Sequence, residues 1–215
     1  MYIKIKRIMD LIFAIILLII FAIPMAVIAI CIKLEDNGPI IYKSRRMGKG
    51  LKEFDTYKFR SMKTKREELQ SELSHDEMVT NIGKFIRKTS LDELPQLINI
   101  IKGEMSFIGP RPWIPEYYVW FTDEQKRRVD VLPGISGLAQ VRGRNGINIF
   151  KKIEYDLQYV DNISFSQDFK LVLETIGTVF SKDNAEISEQ GIKEEINDLK
   201  ASKVIVEEHT YKQTI

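Results

Sequence analysis

Cysteine is almost absent. Cys31 stands alone, so no internal disulfide can form and the chain fits a reducing compartment. Histidine is nearly as scarce: His75 and His209 are the only two, and they lie far apart in the sequence. That argues against a zinc site and against a triad built on imidazole. Chemistry is left to carboxylates, basic groups and a hard metal ion held by oxygen. No sign of charge dominates. The 32 basic and 30 acidic residues leave a net charge of +2, too small a surplus to argue for nucleic acid. Disorder is excluded as well, because 44% of the residues are hydrophobic and 29% charged. There is no internal repeat and no sign of a second domain. A chain of 215 residues allows one domain of ordinary size plus attachments.

What is present begins with an apolar run. Leu11 to Ile32 is 22 residues without a charge, about 33 Å as a helix and enough for a bilayer core. No small-residue cleavage site follows, so the run reads as an anchor rather than a removed signal. A single-pass span is the default. Two features favour a helix that enters, bends and returns. Pro24 lies past the middle, where it should bend or break the helix. Lys4, Lys6 and Arg7 precede the run and Lys33 follows it, so the positive-inside rule asks for both ends in the cytoplasm. Glu35 and Asp36 weaken the downstream side.

Asp36-Asn37-Gly38-Pro39 is a turn cluster. Residues 40–43 and 54–59 read as two short strands with Gly48 and Gly50 between them, a β-hairpin. From Lys43 to Arg66 ten basic residues face two acidic ones. They are a solvated face beside anionic lipid, a cradle for phosphates, or both. Lys65 to Leu73 reads as a charged surface helix. Thr80 can cap a short helix that ends at Arg87 and Lys88. These two cations answer a helix dipole or face a substrate phosphate.

The densest stretch is Thr89 to Pro112, TSLDELPQLINIIKGEMSFIGPRP. Ser90 and Glu93 have capping-box spacing ahead of an apolar run. On spacing alone, Asp92 and Glu93 are ordinary helix-start acids. Pro95 leaves the register open. With Ser90 as N-cap it falls past the first turn and bends the helix; with Asp92 as N-cap it is unstrained. Leu94, Leu97, Ile98 and Ile101 have the spacing of a buried face, and Lys102-Gly103 ends the helix. Gly109-Pro110-Arg111-Pro112 is then a stiff turn holding one arginine.

SLDELPQLINIIKGEMSFIGPRP resembles the signature of the bacterial sugar transferases, the polyprenyl-phosphate sugar-1-phosphate transferases or phosphoglycosyl transferases. Further stretches are similar to other motifs of that family: Gly38-Pro39, Lys58-Phe59-Arg60-Ser61-Met62, Pro133 to Gln140 (PGISGLAQ) with Gly143-Arg144-Asn145 after it, and Glu154-Tyr155-Asp156 to Tyr159-Val160. Where many members have a basic residue before Pro-Gly, this chain has Leu132, so no anion-binding role is carried to that position. The resemblance covers about residues 1–181. It implies the small, single-domain type without the multi-span N-terminal region of larger relatives, closest to those that transfer diacetylated amino sugars such as bacillosamine.

The resemblance implies an α+β fold, mostly helical. A re-entrant membrane helix spans 1–35, a cytoplasmic catalytic domain with a short β-hairpin spans 36–181, and a charged tail spans 182–215. The implied reaction moves a sugar-1-phosphate from a UDP-sugar to polyprenyl (undecaprenyl) phosphate and releases UMP. This would initiate a capsule, exopolysaccharide, O-antigen or glycoprotein glycan. Asp92 is then the nucleophile and Glu93 the ligand of Mg2+. Lys58, Arg60, Arg87, Arg111, Arg144 and Asp156 are the candidate substrate-binding residues, Arg111 at the nucleotide end. Asp156 equally suits metal or a pairing with Arg142 or Arg144. Successive helical residues point about 100° apart, so Asp92 and Glu93 should contact different parts of the site. Besides the two substrates, the implied partners are membrane lipid at the inner (cytoplasmic) membrane and downstream glycosyltransferases or a second copy, with no nucleic acid. The rival functions are a non-catalytic membrane scaffold and a glycosyltransferase releasing UDP.

Three segments stay outside these motifs. Trp113, Tyr117, Tyr118, Trp120 and Phe121 suit a core or a membrane interface. Phe169, Val172, Leu173, Ile176, Val179 and Phe180 form a stripe for the last core helix or for one lying in the interface. The last 35 residues hold five basic and eight acidic groups, with a weak helical pattern at Ile187, Ile192, Ile196 and Leu199. They read as a flexible, partner-binding segment.

Overall fold

The computed structural model describes residues 1–64, 77–143, 147–179 and 189–213; the segment 65–73, read as a charged helix, lies outside them. The apolar run folds as two helices, α1 (Tyr2–Ile20) and α2 (Ala22–Asp36), bent by 61°. Neither alone is long and apolar enough to cross a membrane, whereas the pair together meets that length and composition. The break falls at Phe21, three residues before Pro24. Proline has no N–H for the carbonyl four residues back and its ring crowds that carbonyl, so the bend precedes the proline instead of centring on it.

Both ends of this helical pair are fastened to the rest of the chain. At the start, Tyr2 Oη donates to Asp168 at 2.6 Å, Lys6 Nζ lies 2.7 Å from the same carboxylate, and Arg7 donates to the carbonyls of Ile100 and Ile101. Asp10 accepts from Ser106 Oγ at 2.8 Å. At the end, Asp36 pairs with both terminal nitrogens of Arg60, and Glu35 accepts the amides of Asn81 (2.6 Å) and Ile82 (3.1 Å). Glu35 and Asp36, read as weakening the downstream charge signal, are thus engaged in contacts with the domain.

The predicted hairpin forms from β1 (Ile41–Met47) and β2 (Glu53–Phe59), antiparallel with Lys43 opposite Tyr57 and Tyr42 opposite Lys58. β1 runs longer than its sequence signal because Met47 turns into the aromatic core. Thr80 caps α3 (Asn81–Lys88), its hydroxyl accepting from Gly83 N at 2.9 Å. After Pro95 comes α4 (Gln96–Lys102), closed by Gly103 at φ 85°. A second, parallel pair, β3 (Ser106–Ile108) with β4 (Gly134–Ser136), was not legible in the sequence. It brings the Gly109 turn against the PGISG motif so closely that a Cβ on Gly134 would lie 2.2 Å from Gly109 N. The rest is helical: α5 (Asp123–Lys126), α6 (Leu138–Arg142), α7 (Ile149–Asp161), α8 (Phe165–Val179) and α9 (Glu189–Gln213).

The core is divided. Ala14 of α1 packs with Phe54, Leu97, Ile100 and Met105; Ile28 and Ile32 of α2 pack with Phe59 and Ile86. Leu94 lies against both groups. The aromatic cluster is core: Tyr117, Tyr118 and Phe121 are buried with Val129, Ile149 and Ile153. The C-terminal segment is no loose appendage. Ile192, Ile196 and Leu199 of α9 close this aromatic core, and Glu195 accepts from Tyr117 Oη and Lys152 Nζ, both at 2.6 Å. The α8 stripe faces outward. Leu171 and Asp168 are buried while Phe165, Phe169, Leu173 and Ile176 are exposed, and Phe165 sits edge-on to Tyr2 of α1.

Candidate active site

Neither reading of the Ser90 register holds. Ser90 takes a left-handed φ of 56° and makes no side-chain cap. Leu91–Glu93 is a single 3-10 turn, closed by Glu93 N to Ser90 O and Leu94 N to Leu91 O, each at 3.3 Å. Pro95 then takes the N-cap position of α4. Since Pro95 cannot donate, the chain tightens into i→i+3 bonds until Leu97 and Ile98 find partners. The capping box is therefore replaced by a tight turn. Leu91 and Leu94 plug it into the core and the two acids face β2. The buried face of α4 also differs: Leu97, Asn99 and Ile100 are buried and Ile98 is exposed. Asn99 was missed in the sequence. Its side chain accepts from Tyr57 N and donates to Asp55 O and Glu104 Oε2, so it knits α4 to β2.

Four of the expected site residues meet. Lys58 Nζ lies 2.8 Å from Glu93 Oε1 and 3.9 Å from Asp92 Oδ2. Arg111 Nη2 lies 3.5 Å from the same Glu93 oxygen. Asp92 and Glu93 thus share one lysine instead of serving separate parts of the site. Asp92 is buried, whereas the Arg111 side chain is 45% exposed at the rim of the cluster. Burial pushes the Glu93 carboxyl up, but the charges of Lys58 and then Arg111 outweigh it and hold the group down at about 2. Glu93 is therefore an anion throughout the neutral range.

Three of the remaining candidates have partners outside this cluster. Arg60 is buried and joined to Asp36, with Nε on Pro39 O at 2.5 Å; that pairing holds the Asp36 carboxyl far below the usual range despite its burial. Arg87 donates from Nε to Ser61 Oγ at 2.8 Å. Arg144 lies outside the described residues. Asp156 is fully buried, and among the described residues its partner is not Arg142. Arg142 instead pairs with Glu174 at 3.3 Å, and Asp156 Oδ2 accepts from Arg128 at 2.6 and 3.0 Å. Arg128 sits in the 3-10 turn Arg127–Val129 that follows α5. Nothing local separates it from Arg127, which is exposed and pairs with Asp161.

Among the described residues no group of three or more His, Cys, Asp or Glu side chains is placed to hold a metal alone. Adjacent carboxylates still suit Mg2+, which keeps several waters and binds through one or two carboxylates plus substrate phosphates.

Residues 1–182 match the family model for bacterial sugar transferases. The chain is 41% identical to an uncharacterized sugar transferase of Bacillus subtilis, EpsL, over 81% of this chain and 86% of that protein. It is 35% identical to the UDP-glucose:undecaprenyl-phosphate glucose-1-phosphate transferase of Caulobacter vibrioides, over 84% of this chain and 71% of the relative. Identity to the undecaprenyl-phosphate galactose phosphotransferase of Salmonella typhimurium is 36% over 84% of this chain, which spans only 41% of that longer protein. With a single family model running from the first helix to the end of α8, through the Lys58, Asp92, Glu93 and Arg111 cluster, the chain belongs to the bacterial sugar transferases.

Proposed function

We propose that this protein transfers a sugar-1-phosphate from a UDP-sugar to undecaprenyl phosphate, releasing UMP and starting a surface glycan. The observation that carries the reading is the cluster itself. A buried carboxylate and an ionised one share Lys58, with Arg111 at the rim, where a pyrophosphate must be neutralised and split. Asp92 attacks the sugar-bearing phosphorus. The bond from that phosphorus to the bridging oxygen breaks, and UMP leaves with the electron pair. A phosphate oxygen of the acceptor then attacks the same phosphorus and frees the Asp92 carboxylate. Lys58, within 3.9 Å of Asp92, offsets charge on the phosphoryl oxygens. Glu93, with Asp92 beside it, would hold Mg2+, which supplies charge neutralisation on the donor diphosphate. Arg111 binds the nucleotide end.

The acceptor is a membrane lipid, and the surface suits one. Ile3, Ile8, Ile12, Ile19, Ile23 and Val27 of the bent pair are exposed, as are Phe169, Leu173 and Ile176 of α8. The bonding of both ends of the pair to one domain supports a pair that enters and leaves the bilayer on the same side, and the basic residues on both flanks, Lys4, Lys6, Arg7 and Lys33, favour the cytoplasmic face of the inner membrane.

The test is a panel of UDP-sugars incubated with undecaprenyl phosphate and the purified enzyme. UMP release with one of them is the expected result. UDP release would indicate transfer of the sugar alone, and no release from any would favour a scaffold.

A further inference from the structure

We infer that Arg128 is a positioning residue for Arg111, which it aims by holding the backbone of the Pro110-Arg111-Pro112 turn. The inference rests on the proposed role of Arg111 at the nucleotide end of the donor.

The Arg128 side chain is 1% exposed, yet its guanidinium is richly partnered. Nε and Nη2 donate to Asp156, Nη1 donates to Tyr118 Oη at 2.5 Å, and Nη2 donates to the carbonyl of Arg111 at 2.7 Å. The indole of Trp113 lies against it, 4.0 Å from guanidinium carbon to ring centroid. Stability does not explain such a pair, because a buried ion pair is often matched or bettered by apolar residues of similar volume. Direction does explain it. A planar fork can hold a carboxylate on one edge and a carbonyl on another, which an ammonium cannot.

The turn leaves one degree of freedom to settle. Pro110 has a fixed φ, and a residue before proline, here Arg111, is confined to extended backbone. Neighbouring carbonyls are already held: Pro110 O accepts from Gly134 N at 2.9 Å, and Trp113 O accepts from Met47 N at 2.8 Å. The peptide plane between Arg111 and Pro112 remains, and Arg128 holds it. With the backbone pinned on both sides, the Arg111 side chain starts from one fixed point beside Glu93. Asp156 holds the holder: its only hydrogen-bonding oxygen is the one on Arg128.

The experiment uses full-length enzyme and UDP, the part common to all donors, with magnesium present. Direct binding and melting curves are measured for wild type, Arg111→Ala, Arg128→Lys, Tyr118→Phe and the doubles with Arg111→Ala. Arg128→Lys keeps the charge facing Asp156 and loses the fork. It should weaken UDP binding on the order of tenfold, the size of one charge-assisted hydrogen bond, with the acceptor KM unchanged. In the Arg111→Ala background it should add nothing. If Arg128→Lys shows no melting transition, Tyr118→Phe carries the test with a smaller loss in the same direction, again absent without Arg111. Folded Arg128→Lys and Tyr118→Phe enzymes that bind UDP as wild type does, while Arg111→Ala does not, would overturn the inference and leave the role of Arg111 standing. Losses that multiply in the doubles would overturn it too. Unchanged UDP affinity in Arg111→Ala would overturn both.

Discussion

Asp36 and Arg60, 24 residues apart, lock the returning end of the apolar helical pair to the strand that carries Lys58. Arg60 is buried, and Asp36 also accepts from Thr64 N and Oγ1 and Gly38 N. Asp36→Ala strands a buried guanidinium and should cost about 3–5 kcal/mol of unfolding free energy. Asp36→Asn keeps an acceptor and should cost less. Melting in one detergent, variant against wild type, checks the order.

The same lock bears on topology. Since Tyr2, Lys6, Glu35 and Asp36 all bind the domain, tags at the two termini of the chain should both be protected from an impermeant reagent in intact cells. Labelling of the N-terminal tag alone would restore a single-pass helix.

Asp92→Asn should fold, because it is isosteric, and should lose transfer by about 10³-fold or more. Wild-type enzyme given its UDP-sugar alone should release up to one UMP per molecule and carry the phosphosugar on the peptide holding Asp92; the variant should do neither. Ternary-complex kinetics without an adduct would leave Asp92 as a base.

Glu93 makes a prediction in pH. Its folded pKa, about 2, lies below its ordinary 4.5, so its contribution to stability is complete above 4.5 and drains away as pH falls toward 2. The gap in unfolding free energy between wild type and Glu93→Gln should be flat from about pH 5 to 8 and narrow below. Glu93→Gln should also raise the magnesium needed for half-maximal rate, and EDTA should abolish wild-type turnover until magnesium is restored.

Leu199, 1% exposed in the aromatic core, tests the C-terminal helix. Leu199→Ala should cost about 2–5 kcal/mol, read as a lower melting temperature. An unaltered melt would return 189–213 to the status of a loose tail.

The parts written in local patterns were legible in the sequence. Alternation gave away the hairpin, Thr80 its cap, and the charge-free run its bend to within three residues. The Asp92-Glu93 pair and Arg111 of the Pro-Arg-Pro turn were singled out by the resemblance to the bacterial sugar transferases, since spacing alone reads the two acids as ordinary helix-start residues. What escaped depends on partners far along the chain. Arg128 meets Asp156 across 28 residues and Asn99 meets Asp55 across 44. The β3–β4 pair joins strands of three residues each, too short for any periodicity to show. The register at Pro95 failed for a nearer reason. Capping-box spacing describes an α-helix, and the missing amide of Pro95 converts the first turn to 3-10 geometry.

Leu94 lies at the seam between the two halves of the core, one built on Ala14 of α1 and the other on Ile28 and Ile32 of α2. It is also the residue that follows Glu93. A lone 3-10 turn has almost no rigidity of its own, so the spacing of Asp92, Glu93 and Lys58 is inherited from how far apart α1 and α2 are held. If the pair sits in the membrane as proposed, a bilayer of different thickness would bear on that 61° angle, and lipids that open or close it should move the turnover number before they loosen the fold.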